Sequence, residues 1–193
     1  MKSFLRENTM IVVSIALPLL VVILFALASI LPNVFSSPPA HDLLLTYQER
    51  VIETESPVRV NLVVVNDRVK ATVFKVKENE RGSVRRIFRY DHVAAAVSEI
   101  HIPMPENIAE LPDGAEIPIP ELTDLKVSNL LRAPDGYEFR GHEGGGGLMR
   151  GLFGVNRSRN DVNIANDGAI IRVRLPTSNY WYGDVRFLGW VID

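Results

Sequence analysis

The residues of this chain that could do chemistry are scattered, and each familiar arrangement fails at an identifiable position. His142-Glu143 opens the HExxH pattern, in which two histidines one helical turn apart hold zinc, but Gly146 stands where the second histidine belongs. Asp161-Val162-Asn163-Ile164-Ala165 begins like a calcium loop, yet Ala165 and Arg172 occupy places that need oxygen ligands. The glycine-rich stretch from Gly141 to Gly154 lacks the lysine-Ser/Thr pair of a phosphate loop, and no βαβ unit surrounds it. There is no Gly-x-Ser-x-Gly elbow to present a nucleophilic serine. His41, His92 and His101 show no ligand spacing, and cysteine is absent, which removes thiol nucleophiles and thiolate metal sites. No catalytic, cofactor-binding or metal-ligating residue is assigned, and the expected role is non-enzymatic.

Three groups of residues suit recognition instead. Leu148, Met149, Arg150, Leu152 and Phe153 are carried on glycines and form a candidate contact loop for a partner or the bilayer interface. Arg81, Arg85, Arg86 and Arg89 dominate a basic run that starts at Arg68, and Asp91 to Asp124 follows with acids and no lysine or arginine. That segregation offers a face for an anionic partner beside an acidic edge. The plainer alternative is a pair of solvated sheet faces that partly neutralise each other. Tyr180, Trp181 and Tyr182 are candidate ligand aromatics, although aromatic residues also favour strands for packing reasons alone.

The element that must position all of these is the charge-free stretch from Asn8 to His41. Its apolar run includes Ile15, Leu20, Ile23 and Phe25, with Pro18 as the one helix breaker inside the run. A bilayer core of about 30 Å takes roughly 20 apolar residues as a helix, the form that satisfies every backbone group without water. The expected organisation is a short cytoplasmic N-terminus over 1–9, a transmembrane helix over 10–32, a Pro-rich linker over 33–41 and a β-rich extracytoplasmic domain over 42–193. Lys2 and Arg6 precede the span and Asp42 and Glu49 follow it, so the positive-inside tendency places the C-terminal domain across the inner membrane, in the periplasm. Ala26-Leu27-Ala28 offers a rival reading as a signal-peptide cleavage site, though the apolar run is long for one.

Beyond the linker the dominant period is two. Val58, Val60, Leu62 and Val64 alternate with their neighbours, Asn66-Asp67 supplies a turn, and Val69 to Lys77 resumes, so a β-hairpin is expected. Leu43 to Tyr47 suits either a strand or a short helix. His92 to Glu99, rich in alanine, reads as a short helix. Leu122 to Leu131 and Ala169 to Leu175 read as strands, and Pro134-Asp135-Gly136 as a turn. Frequent turns and little helical period predict an antiparallel β-sandwich or barrel-like domain with long Pro-rich and Gly-rich loops.

The net charge is −2, which argues against a nucleic-acid partner, since that needs a basic surplus. The expectation is a membrane-anchored accessory or interaction subunit with a protein partner in the membrane or envelope. The alternative is an extracytoplasmic ligand-sensing module that uses the aromatic C-terminal strands.

Overall fold

A computed structural model of the chain describes residues 9–35, 37–50, 58–76, 83–141, 161–167, 169–177 and 183–192. It divides into a helical unit built on α1 (Thr9–Phe35) and a β unit of residues 38–166 with 170–193.

Helix α1 is 27 residues long and carries no charge. Pro18 does not end it, and Ser14 Oγ donates to the Met10 carbonyl at 2.7 Å, a bond that satisfies the hydroxyl within the helix. The helix continues to Phe35, past the expected end at 32. Among the described residues no helix is long and apolar enough to cross a membrane. The continuous run of described side chains, Val13 to Leu27, is shorter than the roughly 20 residues a span needs. The described residues therefore do not support the expected transmembrane anchor.

The β unit is mostly strand: β1 (Leu43–Arg50), β2 (Val58–Val65), β3 (Arg68–Lys75), β4 (Ser83–Asp91), β5 (Ala96–Ile100), β6 (Ala115–Ile117), β7 (Lys126–Ser128), β8 (Glu138–Gly141), β9 (Asp161–Asn166), β10 (Ala169–Arg174) and β11 (Gly183–Ile192). They form a five-stranded sheet ordered β5-β4-β1-β11-β7 and two three-stranded sheets, β2-β3-β6 and β10-β9-β8. The registered pairs are antiparallel.

Strand β1 explains the arrangement. Leu43, Leu44, Leu45 and Tyr47 are fully buried, because both faces of the strand are covered. Leu44 joins Ile87, Leu188 and the hairpin residues Val60, Leu62 and Val73 in one core. Leu43, Leu45 and Tyr47 join Phe88, Trp190, Ile164 and Val173 in the other. A continuous apolar run suits a strand between two layers, whereas alternation suits a strand with one wet face. The β2–β3 hairpin is of the second kind, with Val58, Val60 and Leu62 inward and Arg59 outward. Its turn is tight: Asn66 and Asp67 both take left-handed backbone, φ 52° and 59°, as a two-residue hairpin of this hand requires.

Two expectations are corrected. His92 to Glu99 is not a helix but a turn followed by β5, paired to β4. The Asp91 carboxylate accepts from the amides of Val93 and Ala94, both at 2.8 Å, and Ala95 is left-handed at φ 50°. These local bonds and the sheet pairing outweigh the modest helix preference of alanine. Leu122 to Leu131 is not one strand: a 3-10 turn at Pro120–Leu122 precedes the three residues of β7.

Strand β11 holds a bulge opposite Leu44 and Leu45, which pair with Gly189 and Phe187 respectively. The extra residue lets Phe187 and Trp190 both reach the second core, with ring centroids 6.2 Å apart, while Leu188 reaches the first. Gly189 sits at this crossing. A Cβ there would lie 2.3 Å from Val127 Cγ1 and 2.7 Å from the Ser128 carbonyl oxygen, so β7 leaves no space for a side chain. Gly189→Ala is expected to cost about 1–3 kcal/mol through this overpacking, measured as a lower urea midpoint at unchanged slope. An unchanged midpoint would mean that β7 does not press on the bulge.

Candidate functional site

The described side chains with the densest polar contacts lie where the chain enters β1. Asp42 is buried at 6% exposure, immediately ahead of the leucine run. Its Oδ2 accepts from Arg89 Nε at 2.7 Å and Nη2 at 2.5 Å. Its Oδ1 accepts from the His92 amide at 2.9 Å and lies 2.7 Å from His92 Nδ1. Register explains the meeting: Leu43 pairs with Tyr90 and Leu44 with Arg89, so the start of β1 lies against the end of β4. On the other side the Asp42 carbonyl accepts from the Val191 amide at 2.9 Å, and His41 Nδ1 lies 3.1 Å from the Val191 carbonyl oxygen.

The electrostatics follow from these contacts. Burial pushes the Asp42 pKa up, but the His92 amide, the His92 ring and Arg89 together bring it below its ordinary 3.8. The Tyr90 phenol is pushed up, first by burial and then by Tyr137, Asp42 and Asp91.

Asp42, Asp91 and His92 place one potential ligand atom each within 4.8 Å of one another. The oxygens are already committed, Asp42 to Arg89 and His92 and Asp91 to two backbone amides. A cation would have to displace a bound guanidinium, so the arrangement is a closed hydrogen-bonded network.

The arginines singled out from sequence do not share a face. In β4 the side chains alternate, so Arg85 and Arg89 lie on the Ile87 side and Arg86 lies on the Phe88 side. Arg85 Nη1 donates to Asn61 Oδ1 at 2.9 Å. Arg86 forks onto Glu99 through Nε and Nη2 and lies 5.1 Å from the centroid of the Phe88 ring. The Arg86 hydrogen bond, ahead of the opposing effect of burial, holds the Glu99 carboxyl below its usual range. Arg89 is tied to Asp42. Arg81 lies outside the described residues, as do Leu148, Met149, Arg150, Leu152 and Phe153 of the glycine-rich stretch and Tyr180, Trp181 and Tyr182. An open cavity of about 570 Å³, lined by Leu131, Glu138, Phe139, Arg140 and Gly141, borders the described end of β8.

Sequence reasoning set His92 aside and gave Asp42 no role beyond marking charge after the span. No spacing signal ties residues 50 positions apart; only strand pairing does. No family model matches the chain, and neither the curated proteins nor the solved structures include a match.

The Asp42 network carries a pH signature. Because its folded pKa is depressed, the stability it contributes is present above the ordinary carboxylate value and is lost as pH falls through the folded pKa. Asp42→Asn turns an amide nitrogen toward donors and is expected to cost about 1–3 kcal/mol at pH 7. It should also flatten the acid limb of stability against pH, measured by urea unfolding from pH 7 to pH 3. An acid limb as steep as that of the unsubstituted protein would assign the acid sensitivity to other groups.

Proposed function

We propose that this protein is a single-pass, membrane-anchored accessory or interaction subunit, with α1 in the inner membrane and the β unit on the periplasmic side. The observation that carries the reading is α1 itself, a charge-free helix 27 residues long. The described side chains from Val13 to Leu27 fall short of a span by themselves, and the apolar sequence on either side of them, Met10 to Leu31, brings the run to the roughly 20 residues a bilayer core takes. Apart from Ser14, whose hydroxyl is satisfied within the helix, the described side chains of α1 are apolar, and the large ones stand about half exposed or more, from Ile15 at 60% to Leu27 at 50%. A helix apolar all round belongs inside a protein core or a bilayer. A continuous run of exposed leucine, valine and isoleucine needs lipid or a partner helix to cover it.

The interaction role is supported by what the β unit does with its polar groups. Its densest cluster commits its carboxylates to arginine, histidine and backbone partners, which is the chemistry of a rigid scaffold. Strand β5, at one edge of the large sheet, is mostly exposed and offers backbone groups to a partner strand.

Two measurements test this reading. The full-length protein should stay with membranes after alkaline carbonate extraction, and Val21→Arg should release much of it, since a centrally placed arginine costs about 2.5–3.5 kcal/mol on insertion. Extraction of the unsubstituted protein into the soluble fraction would overturn the anchor. Solubilised in mild detergent, the anchored protein should co-purify with a stoichiometric partner, and a partnerless monomer would overturn the accessory role.

A further inference from the structure

A second concave site lies at the opposite end of β1 from Asp42, about 20 Å away at roughly 3.3 Å per strand residue. This cavity of about 410 Å³ is lined by Gln48, Arg59, Asn61, Phe74 and Arg85. The two sheets build it together. Gln48 pairs with Arg85 across β1 and β4, and Arg59 pairs with Phe74 across β2 and β3. Asn61 follows Arg59 by two residues and therefore projects from the same face of β2.

Among the described lining residues the charged side chains are both arginines. Arg85 Nη1 donates to Asn61 Oδ1 at 2.9 Å, which fixes the amide and leaves Asn61 Nδ2 as a donor. Arg186, which pairs with Thr46 on the neighbouring strand, adds a third cation, and its Nε is bound to Asp184 Oδ2 at 2.8 Å. Burial first, then Arg186 and Arg59, lower the Arg85 pKa from its ordinary value, as positive charges crowded in a half-desolvated place must. A bound anion relieves that crowding. Guanidinium forks match the oxygens of a phosphate, and two of them with amide donors suit an anion of three free oxygens better than a carboxylate of two. The volume lies within the range of small-molecule sites, with space for more than the bare anion, and Phe74 supplies an apolar wall.

We propose that this pocket binds a phosphate-bearing ligand, with Arg85 and Arg59 holding the phosphate oxygens, Asn61 and Gln48 donating beside them, and Phe74 against the organic part. A phosphomonoester in solution and a phospholipid headgroup share this chemistry.

The test is calorimetric titration of the full-length protein in non-ionic detergent with inorganic phosphate and with glycerol phosphate, using sodium acetate at matched ionic strength as control. A parallel arm uses micelles doped with phosphatidic acid or with phosphatidylcholine. Saturable binding of a phosphate probe is expected, weakened at least tenfold by Arg59→Gln, which changes an outward-facing residue, and abolished by Arg85→Gln. Asn61→Asp places a carboxylate beside Arg85 and should also abolish binding while leaving the thermal midpoint undiminished. Binding of free phosphate or glycerol phosphate with this variant pattern assigns a soluble ligand, and binding of phosphatidic acid alone with the same pattern assigns a headgroup. Equal binding by the unsubstituted protein and Arg59→Gln, an equal response to acetate, or no response to any phosphate probe overturns the proposal.

Discussion

Burial of β1 on both faces is the constraint on which the β unit depends. A strand with one wet face can be served by one layer, but Leu43, Leu44, Leu45 and Tyr47 have no wet face. Covering both sides takes a sheet above and a sheet below, so two hydrophobic cores meet back to back through a single central strand. The bulge in β11 follows from the same demand, because Phe187, Leu188 and Trp190 must be shared between the two cores and strict alternation cannot share them that way. The closeness of β7 at Gly189 is a further consequence.

The two ends of β1 carry different electrostatics. At its start a buried carboxylate is neutralised by Arg89 and bonded to His92, so charge is enclosed and satisfied. At its far end Arg59 and Arg85 line a cavity, and burial, then the charges of Arg186 and Arg59, depress the proton affinity of Arg85. The first arrangement ties β1 to β4 and stiffens the point where the chain joins the sheet. The second gathers like charge, which suits the anionic ligand proposed for it. The pleat of β4 produces both, sending Arg85 and Arg89 to one face and Arg86 to the other.

Much of the β architecture was legible in advance, and the misses have physical causes. The β2–β3 hairpin was readable because its apolar residues alternate and Asn66-Asp67 tolerates left-handed backbone. Leu43 to Tyr47 was ambiguous because a run without alternation has no period to read. His92 to Glu99 was misread because alanine favours helix weakly, and the competing bonds to Asp91 and the pairing with β4 are weak signals in sequence. The basic run was visible as composition, but strand alternation splits it between two faces.

The sequence by itself determined the charge-free helical stretch, the absence of thiol chemistry, the failure of each metal and phosphate motif, and the mostly antiparallel β character. These follow from local composition and period, which a linear chain displays directly. Only the tertiary structure decided that β1 lies between two cores, that Asp42 meets Arg89 and His92, and that Arg59 joins Arg85 across two sheets. Such juxtapositions depend on register and layer packing between distant segments, and no local pattern encodes which strand will lie beside which.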